Sequence, residues 1–342
     1  MKSLVVILIV IVSLLSLSLL EAVKLPTPLK LNIPKGWPKP ARNIFANNPL
    51  TEEGFQLGRK LFYDGKLSKD GNFSCASCHQ QFAAFSTFEH DLSHGFNNGF
   101  TKRNAPALFN IAWMKELQWD GGVNHLEVQA LGPMTASNEM AGSLDTILIK
   151  LNADTAYKRM FRTAYGSGVI TTQRLLRSLS QFVGSIVSSN AKYDKVMRKE
   201  ATFTPGEQAG YLVYRTHCAV CHAEPLFTDN SFRNNGLPLN TYFKDYGRMV
   251  ITGLPADSLK FKVPSLRNIT VTYPYMHDGR FFTLGQVIEH YRTGIQISST
   301  LDTLLRNKVP LNKLEKNDLI TFLTTLTDST LLHDKRLGPM RM

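Results

Sequence analysis

The chain opens on an apolar run of sixteen residues, Val5 to Leu20, preceded by a single positive charge at Lys2. That length suits the core of an export signal and is short for a membrane-crossing helix. Ala22 is the candidate cleavage residue, although Glu21 beside it fits poorly, and an uncleaved anchor is the alternative reading of residues 1–22. Either way the rest of the chain is exported, which predicts a periplasmic protein. Residues 24–43, KLPTPLKLNIPKGWPKPARN, hold five prolines and predict an extended arm. Beyond the arm the pattern is helical. Thr51-Glu52-Glu53 opens one helix. Thr204-Pro205-Gly206-Glu207 opens another, with a capping threonine, proline at the first helical position and a glutamate that completes a capping box. Asn312-Lys-Leu-Glu315 has the same form and leads into Leu319, Phe322, Leu323 and Leu326, an apolar stripe at helical spacing. Long β-patterned runs are absent, so the expected class is mainly α.

Composition narrows the class. With 43% hydrophobic and 19% charged residues the chain is neither disordered nor a multi-span membrane protein. Its 342 residues allow two domains of about 150 residues each. Lys plus Arg number 39 against 27 Asp plus Glu, a net charge of +12, which suits acidic partners: nucleic acid, anionic lipid or an acidic protein. Four cysteines are too few for a disulfide scaffold.

Those cysteines fall in two pairs, in CASCH (Cys75, Cys78, His79) and CAVCH (Cys218, Cys221, His222). C-x-x-C-H is the attachment signature of c-type haem. Two thiols three positions apart add to the two vinyl groups of one haem, and the adjacent histidine supplies an iron ligand. Two disulfides or a four-cysteine zinc site are the alternatives, but a zinc site gives no reason for a histidine directly after each pair. The surroundings repeat as well. Gly58-x-x-Leu61-Phe62 precedes the first motif and Gly210-x-x-Val213-Tyr214 the second; Phe85-Ser-Thr follows the first and Phe227-Thr-Asp the second. The expected architecture is two cytochrome c-like domains, residues 23–198 and 199–342, each carrying one covalently attached haem. Exported redox centres remove nucleic acid as a partner.

In order along the chain come C-x-x-C-H, SHGF, RNAPALFN, QWDGG, Q-A-L-G-P-M-x-x-x-x-E, the second C-x-x-C-H and VPSLRNITVTYPYMHDGRFFTL. With this series, over roughly residues 45–330, the chain resembles the bacterial diheme cytochrome c peroxidases, a family that includes the MauG-like enzymes. The resemblance implies that His79 is proximal to a peroxide-reactive iron and His222 to an electron-relay iron. It makes Trp119 the tryptophan between the haems and Glu139 the acid–base group above the first, with Gln129 and Pro133 lining that pocket. A carboxylate there can move a proton between the two peroxide oxygens. Asn104, Thr272 and Pro274 match ligands of a calcium ion, although Asn-Ala-Pro and Tyr-Pro are also ordinary loop dipeptides. His94 matches a removable ligand of the first iron, with His90 a rival and a surface histidine the plain alternative. The register from Thr283-Leu284 puts Tyr291 on the second iron, where other members have methionine; Met276 is the alternative ligand. A phenolate favours ferric iron, whereas a thioether raises the potential.

Three functions follow from the resemblance. The first is an exported peroxidase that reduces hydrogen peroxide with electrons from a small redox protein, a cytochrome c or cupredoxin. The second is a MauG-like enzyme that uses peroxide to oxidise aromatic residues of a partner protein. The third is a diheme electron carrier without catalysis, against which the acid–base pocket speaks. The charge favours an acidic donor or protein substrate, and a homodimer is left open.

Overall fold

The computed structural model describes residues 25–340, so the apolar run read as an export signal lies outside the described residues. The arm is extended, with an isolated bridge from Pro28 to Thr51. Helix α1 (Glu52–Phe62) starts where the Thr51 hydroxyl accepts the Gly54 N–H, with Glu52 and Glu53 in the first turn, where the helix dipole favours them. Helices α2 (Leu144–Ala153) and α3 (Thr155–Tyr165) are joined at Asp154, whose carboxylate caps α3. Helix α4 (Thr172–Gly184) lies across α1. At their crossing a Cβ on Gly58 would stand 1.9 Å from the Ser178 carbonyl oxygen, so only glycine permits this approach. Phe55, Leu61, Phe62, Phe85, Leu179 and Phe182 fill the core beneath.

The second unit repeats the device. Helix α5 (Pro205–His217) begins with the Thr204–Glu207 capping box and runs directly into Cys218. Helix α6 (Leu284–Glu289) widens into a π-turn, His290–Gly294. Helix α7 (Lys313–Thr324) starts with the Asn312–Glu315 capping box and crosses α5. There a Cβ on Gly210 would stand 1.9 Å from the Asp318 carbonyl oxygen. The stripe Leu319, Phe322, Leu323 and Leu326 is buried with Tyr214 and Phe227. Extended structure is slight: β1 (Phe232–Arg233) pairs antiparallel with β2 (Phe261–Lys262). Among the described residues no helix is long and apolar enough to cross a membrane.

Two features tie the units together. Arg267, 0% exposed, is held by both carboxylate oxygens of Asp194, and its guanidinium lies 4.6 Å from the Trp37 ring of the arm. After α7 the chain turns back to the first unit. Leu331 and Leu337 join the first core, the Tyr63 hydroxyl donates to the Leu337 carbonyl at 2.8 Å and the Gln81 amide to that of Asp334 at 2.8 Å. A division at 198/199 leaves Tyr193 of the second core on the near side and the Leu331–Leu337 return to the first core on the far side.

Candidate active site

The Cys75–Cys78 turn forms one wall of a cleft of about 840 Å³ in the first unit. His79 Nδ1 lies 2.9 Å from the Phe85 carbonyl oxygen, which Ala84 and Phe85 present from left-handed φ angles of 51° and 60°. Burial keeps the imidazole neutral, lowering its pKa against the pull of that carbonyl. With Nδ1–H donated, the Nε2 lone pair is left for a metal. Burial also pushes the Cys75 thiol up to about 12, so this pair is not the low-pKa dithiol of a redox motif. Among the described residues no three His, Cys, Asp or Glu side chains gather as a metal cluster, which removes the four-cysteine zinc alternative. Half-buried thiols beside one imidazole of lowered pKa fit a covalently held haem.

The second unit has the same wall. His222 Nδ1 lies 3.0 Å from the Pro264 carbonyl and 3.2 Å from that of Phe227, itself at φ 56°, and burial again lowers the imidazole pKa. The cleft, about 1340 Å³, takes in Cys218, Cys221, Trp119, Met276 and Tyr291. Tyr291 and Met276 thus face one cavity, and they share a neighbour: Asn235 Nδ2 is 3.4 Å from the Tyr291 hydroxyl and 3.6 Å from the Met276 sulfur. His290 Nε2 sits 3.0 Å from the Asn235 carbonyl oxygen. Tyr291 is presented by the π-turn, an irregularity common at functional sites. Burial pushes its phenol above the usual tyrosine value.

Between these clefts lies a third, of about 1040 Å³, walled by Asn104, Thr272 and Pro274 together with Trp119 and Gln129. Trp119 also faces the second cleft and Gln129 the first. The Trp119 indole N–H donates to the Asn104 carbonyl at 2.8 Å. The Asn104 amide N–H meets the Pro274 carbonyl. Turning that amide over would set Oδ1 beside the same carbonyl, giving two of the oxygen ligands that calcium takes. Gln129 Oε1 is buried with no hydrogen-bond partner, an acceptor that a bound group has to satisfy.

Glu139 and Pro133 face the first cleft beside Gln129, with His94 and Thr101. Burial alone pushes the Glu139 carboxyl above the ordinary range. His94 packs its ring 4.6 Å from Phe100; His90, 4.9 Å from His94, is not among the residues facing the cleft. Gly95 was missed by sequence reasoning. A Cβ there would stand 2.2 Å from the Asn138 carbonyl oxygen and 2.7 Å from Glu139 Cα, and the Phe96 N–H donates to the Glu139 carbonyl at 2.7 Å. The SHGF loop therefore sets the backbone that carries Glu139. Only the glycine in that motif signals it.

Two clefts, each with a cysteine pair and a neutral imidazole, and an indole wall shared with a third, define a chain built for two c-type haems. Comparison with known proteins identifies its family. The family description "di-haem cytochrome c peroxidase" matches residues 52–202. The methylamine utilization protein MauG of Methylophilus methylotrophus is 34% identical over 315 residues, 90% of each chain. The cytochrome c551 peroxidase of Nitrosomonas europaea is 32% identical over 294 residues, 84% of each chain. The crystal structure of a MauG-like protein associated with microbial copper homeostasis superposes with a TM-score of 0.82 at 34% identity, covering 91% of this chain and 99% of that one. The chain belongs to the di-haem cytochrome c peroxidase and MauG family, and it is a peroxide-using oxidoreductase.

Proposed function

We propose that the protein reduces hydrogen peroxide in the first cleft, at the His79 haem, with electrons passed from the His222 haem through the Trp119 wall. The carrying observation is Glu139, a half-buried carboxyl with a raised pKa, in one cleft with His79, Gln129 and Pro133. Bound haem supplies the iron that accepts peroxide. The rest falls to the chain. Glu139 takes the proton from the near oxygen and returns it to the departing one. The unpartnered Gln129 Oε1 faces the same space, and Pro133 and Met134 give that space an apolar wall. Overall, peroxide, two electrons and two protons give two waters. A small reduced redox protein of acidic surface is the donor that fits a chain of +12 net charge. Calcium at Asn104, Thr272 and Pro274 would stiffen the middle cleft, and export to the periplasm belongs to the proposal.

A second reading draws on Tyr291. Its hydroxyl faces the second cleft, and a hard oxygen ligand there would make that haem difficult to reduce. The chain would then oxidise aromatic side chains of a partner protein, as a MauG-like enzyme. Steady-state turnover of peroxide with reduced cytochrome c separates the two readings. Sustained donor oxidation supports the peroxidase. Absence of turnover, together with donor oxidation gained in Tyr291→Met, supports the second.

The rate constant for peroxide should also report Glu139. Its pKa is raised, so the carboxylate that acts as base is lost at higher pH than for an ordinary glutamate, near 4.3. On acidification the rate is expected to fall from above that value. Stopped-flow mixing across the acid range checks this, and a profile flat down to the ordinary range would contradict the role.

A further inference from the structure

Lys262, on β2, is a buried cation without a counter-charge. It is 8% exposed. Its ammonium donates to the Glu116 main-chain carbonyl at 2.7 Å and lies 3.8 Å from the Met114 sulfur, both neutral, and it forms no ion pair among the described residues. The two acids whose charge reaches it are engaged elsewhere, Glu116 by Arg248 at 3.3 Å and Asp120 by Arg103. The other cations lining these clefts are compensated: Arg267 by Asp194, and Arg233 by Asp229 and Asp302. A buried charge held only by neutral groups is costly, and in native proteins such charges are paired.

Its place suggests the missing partner. Lys262 lines both the His222 cleft and the middle cleft, whereas Arg233 lines only the first of these and Arg267 only the second. Its main-chain N–H donates to the Trp119 carbonyl at 2.7 Å, so it is fixed to the indole wall. A c-type haem brings two propionate carboxylates into such a cleft. We propose that Lys262 is a counter-ion for haem propionate in the wall shared by the second and middle clefts, and that its charge holds up a haem reduction potential. The inference rests on the family's two haems. Reduction adds one negative charge to a haem, and a nearby cation in a low-dielectric wall favours the reduced form. Without such a partner, burial depresses Lys262 to about 8. A carboxylate beside it reverses that shift.

The test is a spectroelectrochemical titration of the haem-loaded protein, its Lys262→Gln variant and its Lys262→Arg variant at pH 7. Glutamine can still donate to the Glu116 carbonyl, so it retains a purely structural role; arginine retains the charge. At least one midpoint potential is expected to move down in Lys262→Gln and to stay at the wild-type value in Lys262→Arg. Wild-type potentials in the glutamine variant would overturn the proposal, and so would an arginine variant as low as glutamine. If Lys262→Gln does not load both haems, the wild-type protein decides between pH 7 and 9. The charged groups that act on Lys262 are the Glu116 and Asp120 carboxylates, paired in turn with the Arg248 and Arg103 guanidinium groups; His277, which lines the same cleft, is held near 4 by burial. Carboxylates and guanidinium groups keep their charge through that window. A paired Lys262 gives no step near pH 8, whereas a downward step there marks an unpaired lysine and contradicts the proposal. The titration uses no peroxide, so a protein inert to peroxide would fail the function proposed above without deciding this inference.

Discussion

Replacing Glu139 by glutamine is expected to slow the reaction of the haem-loaded protein with hydrogen peroxide by about 10²–10⁴-fold, the usual contribution of a positioned acid–base group. Glutamine has nearly the same shape and can still donate and accept hydrogen bonds. It cannot take a proton and give it back. The substitution should leave the fold intact, because the local structure depends on the residue's backbone: its N–H donates to the Ala136 carbonyl at 3.0 Å and its carbonyl accepts from Phe96. Gly95, pressed against Glu139 Cα, fixes the same turn without using the side chain. Haem content and unfolding temperature are therefore expected at wild-type values. A variant that reacts with peroxide at the wild-type rate would mean that another group moves the proton, and His94, in the same cleft, would be the next to replace.

Gly210→Val is expected to destabilise the haem-loaded protein by about 3 kcal/mol or more, at the upper end of overpacking effects. The branched side chain would begin 1.9 Å from the Asp318 carbonyl oxygen and 2.8 Å from Phe322 Cβ. Both belong to α7, and a helix backbone cannot give way at one carbonyl alone. Helices α5 and α7 would have to separate, opening the core of Tyr214, Phe227, Leu319 and Phe322. Gly206, one turn earlier on α5, is the control. A Cβ there meets nothing nearer than 3.9 Å, so Gly206→Ala should be neutral or gain about 0.4–1 kcal/mol through the unfolded chain. Chemical unfolding followed by circular dichroism compares the two. Equal midpoints would show that the crossing tolerates a side chain.

Much of the fold could be read from local chemistry. The caps at Thr51, Thr204 and Asn312 each accept the backbone N–H that their position predicts, because an N-cap acts within four residues. The stripe from Leu319 to Leu326 is buried because helical spacing alone decides which face it makes. What escaped depends on distant parts of the chain. The return of Leu331 and Leu337 to the first core has no local pattern to announce it. The π-turn that presents Tyr291 inserts one residue into an otherwise regular helix, which propensity does not register. In Gln129 the sequence offers a pocket residue, but not that its side chain faces two clefts with an unpartnered oxygen. Lys262 reads as one more lysine in a basic chain until its ammonium is found buried. Nor does the sequence show that Tyr291 and Met276 meet the same Asn235 amide.

In the proposed function peroxide reacts at the first cleft of a two-haem protein. The most direct test of this is to mix the ferric, haem-loaded protein with one equivalent of hydrogen peroxide and follow the haem absorption by stopped flow, in wild type and in Glu139→Gln. A rapid change with peroxide consumed one for one, slowed at least 10²-fold in the variant, is the predicted result. An unchanged spectrum with peroxide left in solution would contradict the claim and leave a two-haem electron carrier.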